Sequence, residues 1–170
     1  MCTASVRSPF GRPKLGGVGL CVASYRGCRE VANMGDAVKP GSIDDFEQRY
    51  RVKPTEVTRQ IERDVIGGDW GANGYTTMSQ ADRLGRELSL GPGSMLLDLG
   101  AGRGWPGLYL AASTGCRVVM ADVPADALRI ALDRADDEGL AGRAVAVLCS
   151  AMGLPLRPRC FDAVVHADVL

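Results

Sequence analysis

Residues 95–104 read Met-Leu-Leu-Asp-Leu-Gly-Ala-Gly-Arg-Gly. The first five form a short apolar run that ends in a glycine cluster, which is typical of a buried parallel strand followed by a tight turn. Glycines in such a turn let a ligand approach backbone that side chains would otherwise shield. The stretch therefore predicts a strand and a ligand-binding loop.

Helix and strand patterns alternate after this loop. Strand patterns recur at residues 117–121, 144–149 and 161–169, and helix patterns follow Pro106 and Pro124. The alternation predicts right-handed βαβ units, and hence an α/β fold with a Rossmann-like parallel sheet. Such sheets bind ligands at the carboxyl ends of their strands.

Three further helix patterns precede the sheet. They cover residues 43–51, residues 55–66 before a glycine stop, and about residues 77–88, with Ser42, Thr55 and Thr77 as candidate caps. Trp70 and Trp105 lie beside glycine-rich loops, where they could line a pocket or belong to the core.

The chain has 170 residues, of which 46% are hydrophobic and 24% charged. This length accommodates roughly one domain with a core, and no run approaches the roughly 20 apolar residues of a membrane-spanning helix. The 20 basic and 20 acidic residues balance, so no overall field would attract nucleic acid. We expect a globular protein that binds neither nucleic acid nor membrane.

The cysteine and histidine content argues against a disulfide-stapled or metal-binding protein. The six cysteines form no C-x-x-C pair, and a chain this long and apolar does not need disulfides. Reduced thiols and a cytoplasmic location are therefore expected. His166 is the single histidine, without partners at metal-ligand spacing, so we expect no metal site.

Residues 1–33 differ from the rest of the chain. They carry five basic residues and one acidic residue, a net charge of +4, so residues 34–170 carry −4. The segment lacks helical and strand periodicity, and we expect it to be disordered. Its apolar stretch 15–23 weakly resembles a signal peptide, but glycines interrupt it and no clear cleavage site follows. A second interpretation is that translation naturally starts at Met34.

The loop that contains Gly100, Gly102 and Gly104, called the glycine loop below, fits two classes of cofactor. Residues 102–107 match the G-x-G-x-x-G of nicotinamide and flavin enzymes, which is a weak signal by itself. A pyrophosphate would need free N–H groups at the helix start, whereas Asp98 places a carboxylate before the turn and Pro106 removes a donor. S-adenosylmethionine has no phosphate, and a carboxylate favours its sulfonium and ammonium groups. Asp122, at the end of the next strand, could accept both hydroxyls of its ribose.

Three segments together resemble class I S-adenosylmethionine-dependent methyltransferases, most of all the small-molecule branch of types 11 and 25. They are Leu-Asp-Leu-Gly-Ala-Gly-Arg-Gly at 97–104, Val-Val-Met-Ala-Asp at 118–122 and Phe-Asp-Ala-Val-Val-His-Ala-Asp-Val-Leu at 161–170. Their order and spacing are those of the family. The resemblance covers about residues 75–170.

The resemblance implies a strand order of 3-2-1-4, counted from Met95. The family's sheet continues with three more strands that carry most of the acceptor pocket, so the chain is interpreted as C-terminally truncated. We expect the fourth strand to be an apolar edge that could pair with another chain. The implied regions are a disordered segment 1–33, N-terminal helices 34–90 that cover the cofactor, and a cofactor-binding half 91–170.

The resemblance also assigns cofactor-binding residues from the glycine loop, the next two strand ends and the helix before the first strand. The set is Asp98, Gly100, Gly102, Gly104, Asp122, Val123, Ser150, Ala151, Met152, Tyr75 and Gln80. The glycine loop would line the methionine end of S-adenosylmethionine, and Val123 would pack on adenine. Ser150 stands where the family commonly has an acidic residue, so we expect somewhat weaker binding.

The implied function is methyl transfer from S-adenosylmethionine to a small-molecule acceptor that the sequence does not identify. His166 and Asp168 would face the reactive end of the cofactor and are candidates for a general base, although ordinary strand packing explains both more simply. Two other functions stay open. One is a non-catalytic cofactor-binding or interaction module, and the other is an NAD(P)-binding Rossmann oxidoreductase.

Overall fold

The computed structural model describes residues 20–21, 48, 50–52, 54–72 and 74–167. The strands in this part of the chain are β1 (Leu20–Cys21), β2 (Met95–Leu99), β3 (Arg117–Asp122), β4 (Ala144–Leu148) and β5 (Ala163–Val165). The helices are α1 (Glu56–Ile66), α2 (Met78–Glu87), α3 (Gly107–Thr114) and α4 (Ala125–Asp137), and a short 3-10 helix spans Ala151–Gly153. The strands form one parallel sheet in the spatial order β1-β4-β3-β2-β5.

The strands from β2 onward confirm the predicted order 3-2-1-4. β2 lies between β3 and β5, and β3 pairs with β4 on its other side. β5 is shorter than the pattern at 161–169 predicts, because it pairs with β2 only between Leu96 and Asp98 before β2 passes into the glycine loop. Residues 168–170 lie outside the described part of the chain.

β1 lies inside segment 1–33, for which no strand was predicted. Its two residues pair with Ala146 and Val147 at the edge of β4. An open strand edge offers unpaired backbone N–H and C=O groups, which favour the addition of a further strand even without a local sequence pattern. The other residues of the segment lie outside the described residues, and for them disorder stays a prediction.

The main hydrophobic core joins the sheet to α3 and α4. It contains apolar side chains from β2, β3, β4 and β5. Two helices add to it, α3 with Leu108 and Leu110 and α4 with Leu128 and Leu132. Leu128 and Leu132 lie four positions apart in α4 and therefore share one face of the helix. The strand ends that carry the glycine loop and Asp122 therefore rest on closely packed elements.

α1 and α2 begin and end close to the predicted positions. Thr55 and Thr77 accept hydrogen bonds from the N–H groups of Thr58 and Gln80, and each helix start forms a capping box. Gly67 ends α1 in the left-handed conformation, as its place after the apolar pattern predicts.

A helical turn before α1 agrees with the end of the predicted helix 43–51. Gln48, Tyr50 and Arg51 are helical, and the earlier residues of that helix lie outside the described residues. The hydroxyl of Tyr50 reaches Gly102 in the loop after β2. None of the helices in the described ranges has the length and apolar content to cross a bilayer.

A second, smaller core fastens α1 and α2 to α3. It buries Ile66, Ala81 and Trp105, and Trp70 and Tyr109 pack against it. The ring centroids of Trp70 and Tyr109 are 5.3 Å apart, and those of Trp105 and Tyr109 are 5.6 Å apart. Both tryptophans thus belong to a packed cluster, which agrees with the second of their two sequence interpretations.

Candidate functional site

The carboxyl ends of β2, β3 and β4 lie side by side and are joined by backbone hydrogen bonds. The N–H of Gly100 donates to the carbonyl of Ala121 at 2.8 Å, and the N–H of Cys149 donates to the carbonyl of Asp122 at 2.9 Å. The three loops that hold most of the predicted cofactor-binding residues therefore start at one edge of the sheet, where parallel sheets bind ligands.

Asp122 fixes the glycine loop to the end of β3. Its Oδ2 accepts the N–H of Gly102 at 2.7 Å, and its Oδ1 accepts the N–H of Val123 at 2.7 Å. Burial raises the pKa of Asp122, and these two N–H groups act in the opposite direction. Because an ionised carboxylate has about four lone-pair sites, each oxygen keeps the capacity to accept a further donor.

Asp98 occupies the start of α3 with a buried carboxyl group. Its Oδ2 accepts the N–H of Gly107 at 2.9 Å, whereas its Oδ1 is buried and has no hydrogen-bond partner in the structure. Burial raises the pKa of Asp98 to about 7; the Gly107 hydrogen bond lowers it, and the charge of Asp122 adds to the rise. In dinucleotide-binding proteins the N–H groups of this helix start hold a phosphate, and here Asp98 already accepts one of them, that of Gly107.

Residues 50–52 lie against the glycine loop. Gly102 has a φ of 53°, and a Cβ atom there would lie 2.9 Å from the hydroxyl oxygen of Tyr50. Arg103 is only 9% exposed, and its Nη2 donates to the carbonyls of Tyr50 at 3.2 Å and Val52 at 3.0 Å. The Arg103 guanidinium carbon is 5.6 Å from the centroid of the Tyr50 ring. Glycine is therefore favoured at position 102 for two reasons: the backbone is left-handed there, and a Cβ would crowd the Tyr50 hydroxyl.

The segment before α2 is tied to the same loop. The indole N–H of Trp105 donates to the carbonyl of Thr76 at 3.1 Å. Tyr75 is 86% exposed, and the Oε1 of Gln80 accepts the N–H of Thr77 at 2.8 Å within the cap of α2. The predicted contacts of Tyr75 and Gln80 with a cofactor stay predictions.

Ser150, Ala151 and Met152 directly follow β4 and its neighbour Cys149. The Oγ of Ser150 accepts the N–H of Met152 at 3.2 Å, which caps the 3-10 helix, and Met152 is almost fully exposed. Burial, followed by the charge of Asp122, raises the pKa of the Cys149 thiol. This short segment therefore borders Asp122, and its predicted contact with adenine stays a prediction.

The two candidates for a general base lie at or beyond the end of β5. His166 is exposed and follows that strand, and Asp168 lies outside the described residues. Within the described ranges, no group of three or more histidine, cysteine or acidic side chains could hold a metal ion. The catalytic roles of His166 and Asp168 stay predictions.

Sequence reasoning missed three residues that shape this site, namely Tyr50, Arg103 and Gly107. The contact between Tyr50 and Gly102 joins distant parts of the chain, and no local pattern signals it. Gly107 does carry a signal, because a glycine in the first turn of a helix leaves room for the carboxylate that ends the preceding strand. Arg103 stands between two glycines of the loop, where no local pattern indicates a particular contact.

The C-terminal part of the chain is similar to known proteins. Residues 96–170 match a family described as a methyltransferase domain. A curated relative, the methyltransferase GfsG of Streptomyces halstedii, is 37% identical over 142 residues. The alignment covers 77% of this chain and 51% of the relative, so the chain spans about half of that relative's length.

Solved structures share the fold. A SAM-dependent methyltransferase from Thiobacillus denitrificans, in complex with S-adenosyl-L-homocysteine, aligns with a TM-score of 0.52 and 21% identity over 69% of this chain and 45% of that one. The MccD protein aligns with a TM-score of 0.50 and 19% identity over 52% of this chain and 39% of that one. These likenesses confirm the predicted α/β, Rossmann-like class of the sheet.

Replacing Gly107 with alanine is expected to destabilise the protein. The added Cβ would overlap Oδ2 of the buried Asp98 and lie 2.9 Å from its Cβ, so the start of α3 and the end of β2 would have to move apart. Overpacking of this kind costs about 1–3 kcal/mol in the free energy of unfolding. Urea denaturation measures it, with Gly142→Ala as control because a Cβ at Gly142 meets nothing within 4 Å. Equal stability of the two variants would contradict the contact.

The free energy of unfolding should fall as Asp98 ionises. Its ordinary pKa of 3.8 is raised to about 7 in the folded state, so the folded protein binds a proton that the unfolded chain has released. The resulting stabilisation is complete below pH 3.8 and is lost as the pH rises through 7, at about 1.4 kcal/mol per pH unit between these values.

An Asp98→Asn variant should lack this slope. The free energy of unfolding of Asp98→Asn, minus that of the wild type, is expected to increase between pH 5 and pH 7 in urea titrations. Asp133 is an exposed aspartate of α4, and Asp133→Asn provides the matched control for loss of a carboxylate. A difference that stays constant with pH would show that Asp98 ionises in the folded protein as it does in the unfolded chain.

Proposed function

We propose that this chain, whose residues 96–170 match a methyltransferase domain family, binds S-adenosylmethionine at the carboxyl ends of β2, β3 and β4 and serves methyl transfer to a small-molecule acceptor. The observation that carries the proposal is the arrangement of two carboxyl groups, Asp98 and Asp122, around the glycine loop. The similar fold of a SAM-dependent methyltransferase in complex with S-adenosyl-L-homocysteine supports it.

The position of Asp98 favours S-adenosylmethionine over a dinucleotide. A pyrophosphate is stabilised by free N–H groups and by the positive end of the helix dipole. Here the Asp98 carboxyl group already accepts the N–H of Gly107 at the start of α3, so this donor is not free for a phosphate. A cofactor with a sulfonium and an ammonium group, and no phosphate, suits these surroundings.

Asp122 is suited to hold a ribose. Both of its oxygens are oriented by backbone N–H groups, those of Gly102 and Val123. Their remaining lone pairs can accept the two neighbouring hydroxyls of a ribose without loss of the existing hydrogen bonds. Because the backbone already fixes the carboxylate, ribose binding would cost little further side-chain entropy.

Alignment supplies most of the expected rate enhancement. Bound S-adenosylmethionine supplies an electrophilic methyl group on a positively charged sulfur that leaves readily. The task of this chain is to fix the donor, through Asp122 and the glycine loop, so that an acceptor can approach in line. A general base is needed only for an acceptor that starts protonated, and His166 and Asp168 are the proposed candidates for that role.

The regional organisation is part of the same proposal. α1 and α2, in region 34–90, cover the cofactor, and region 91–170 holds its binding residues. Within the described part of the chain β5 is an edge strand, so it can pair with a further strand. The free thiols of Cys116, Cys149 and Cys160 agree with reducing conditions, and we place the protein in the cytoplasm.

Calorimetric titration with S-adenosyl-L-homocysteine tests the cofactor assignment. The wild type is expected to bind it and not to bind NADH. In Asp122→Asn one oxygen becomes an NH₂ group, so one of the two backbone N–H groups and one ribose hydroxyl lose their acceptor. Loss of a hydrogen bond to a charged group costs about 1.5–3 kcal/mol, so affinity should fall roughly 10- to 100-fold.

Asp133→Asn, on the exposed face of α4, serves as the control and should bind like the wild type. Circular dichroism melting of each variant, measured without ligand, separates loss of binding from loss of folding. Binding of NADH alone would overturn the methyltransferase proposal, and unchanged affinity in Asp122→Asn would refute the ribose role.

A further inference from the structure

Arg103 connects the glycine loop to the helical turn at residues 50–51. One guanidinium nitrogen donates to the carbonyls of Tyr50 and Val52, at 3.2 Å and 3.0 Å. These carbonyls lie at the C-terminal end of the turn, where helix carbonyls lack intrahelical partners and a positive charge is favourable. Arg103 therefore caps this turn from the middle of the loop.

Tyr50 is held over Gly102 by the same contact. Its hydroxyl oxygen would be 2.9 Å from a Cβ at Gly102, and its ring centroid is 5.6 Å from the guanidinium carbon of Arg103. Gly102 is also the loop residue whose N–H binds Asp122. The N–H of Gly102 thus binds the proposed ribose-binding carboxylate, and the Tyr50 hydroxyl lies on the side of Gly102 where a Cβ would project.

We propose that Arg103 is a positioning residue of the cofactor site. It fastens residues 50–52 to the glycine loop, so that the Tyr50 side chain forms a wall of the site beside Gly102. Docking of these residues and binding of the cofactor then stabilise each other, because both depend on the same conformation of the loop. This inference rests on the proposed binding of S-adenosylmethionine.

The burial of Arg103 explains why the contact should be strong. Its side chain is only 9% exposed, and a buried guanidinium needs partners that replace water. Burial, the largest effect, lowers the pKa of Arg103, and Arg134 acts in the same direction, whereas Tyr50 and Glu62 raise it. The two carbonyls and the Tyr50 ring, together with the charge of Glu62, offset part of this burial, and Nε is left without a hydrogen-bond partner. The carbonyls and the ring are present only while residues 50–52 are docked.

Docking of residues 50–52 and binding of the cofactor are thermodynamically linked. If docking favours the cofactor by some factor, the cofactor must favour docking by the same factor. Arg103→Met removes both hydrogen bonds and the charge and keeps an unbranched apolar side chain. We expect affinity for S-adenosyl-L-homocysteine to fall on the order of tenfold, within the usual range of coupling between sites.

Ligand-dependent protection from hydrogen exchange distinguishes this positioning role from a purely structural one, because a purely structural residue would not change it. In the wild type, S-adenosyl-L-homocysteine should slow amide exchange in peptides that cover residues 48–55. This protection should be lost in Arg103→Met by about the factor by which affinity falls. Arg103→Lys keeps the charge but not the planar fork, so it should restore part of both effects. Arg83→Met removes an exposed arginine of α2 and should change neither.

Tyr50→Ala tests the wall while it keeps the Arg103 side chain and its hydrogen bonds to the backbone, and it serves if Arg103→Met does not fold. It should weaken binding of S-adenosyl-L-homocysteine, whereas tighter binding would mean that Tyr50 blocks the site. Wild-type affinity in Arg103→Met, or weaker affinity with undiminished protection of residues 48–55, would overturn this inference alone. Absence of binding by the wild type would overturn it together with the proposed function.

Discussion

The hydrogen bond from the Gly107 N–H to Asp98 joins the two elements from which the site is built. It connects Asp98, near the C-terminal end of β2, to Gly107, the first residue of α3. The loop between these two elements carries the glycines. The bond is buried, so it is not weakened by competition with water. It also requires glycine at position 107, because a side chain there would overlap the carboxyl group. The path of the loop between β2 and α3 therefore depends on this one contact.

Two acidic groups close together make the electrostatics of the site unusual for a nucleotide-binding sheet. Burial is the main reason that the pKa values of both Asp98 and Asp122 are raised, and the charge of Asp122 contributes to the rise at Asp98. Carboxyl groups in this state favour a ligand that brings positive charge and hydroxyl donors, because such a ligand offsets their desolvation. The raised pKa values and the proposed cofactor are thus consistent with each other.

The sequence predicted well what depends on local signals. The starts of α1 and α2 follow from threonine caps, and the stripe on α4 follows from helix spacing. The strand order came from the resemblance to a family, since several orders satisfy the same alternation of helices and strands. β1 was not predicted, because an edge strand of two residues depends on the backbone groups of β4 rather than on its own side chains.

The same distinction explains why the glycine loop could be located but its supports could not. Asp98, Asp122 and Arg103 each fix the loop through a different partner, and only the carboxylates stand at strand ends where sequence points to a site. Arg103 acts on residues about fifty positions away in the chain, and such a contact exists only after the sheet and the N-terminal helices have packed. Because three sets of hydrogen bonds order the loop before a ligand binds, the entropy cost of ordering it does not reduce the binding free energy. Residues before the sheet therefore help to set the conformation of a loop that the sequence marks only by its glycines.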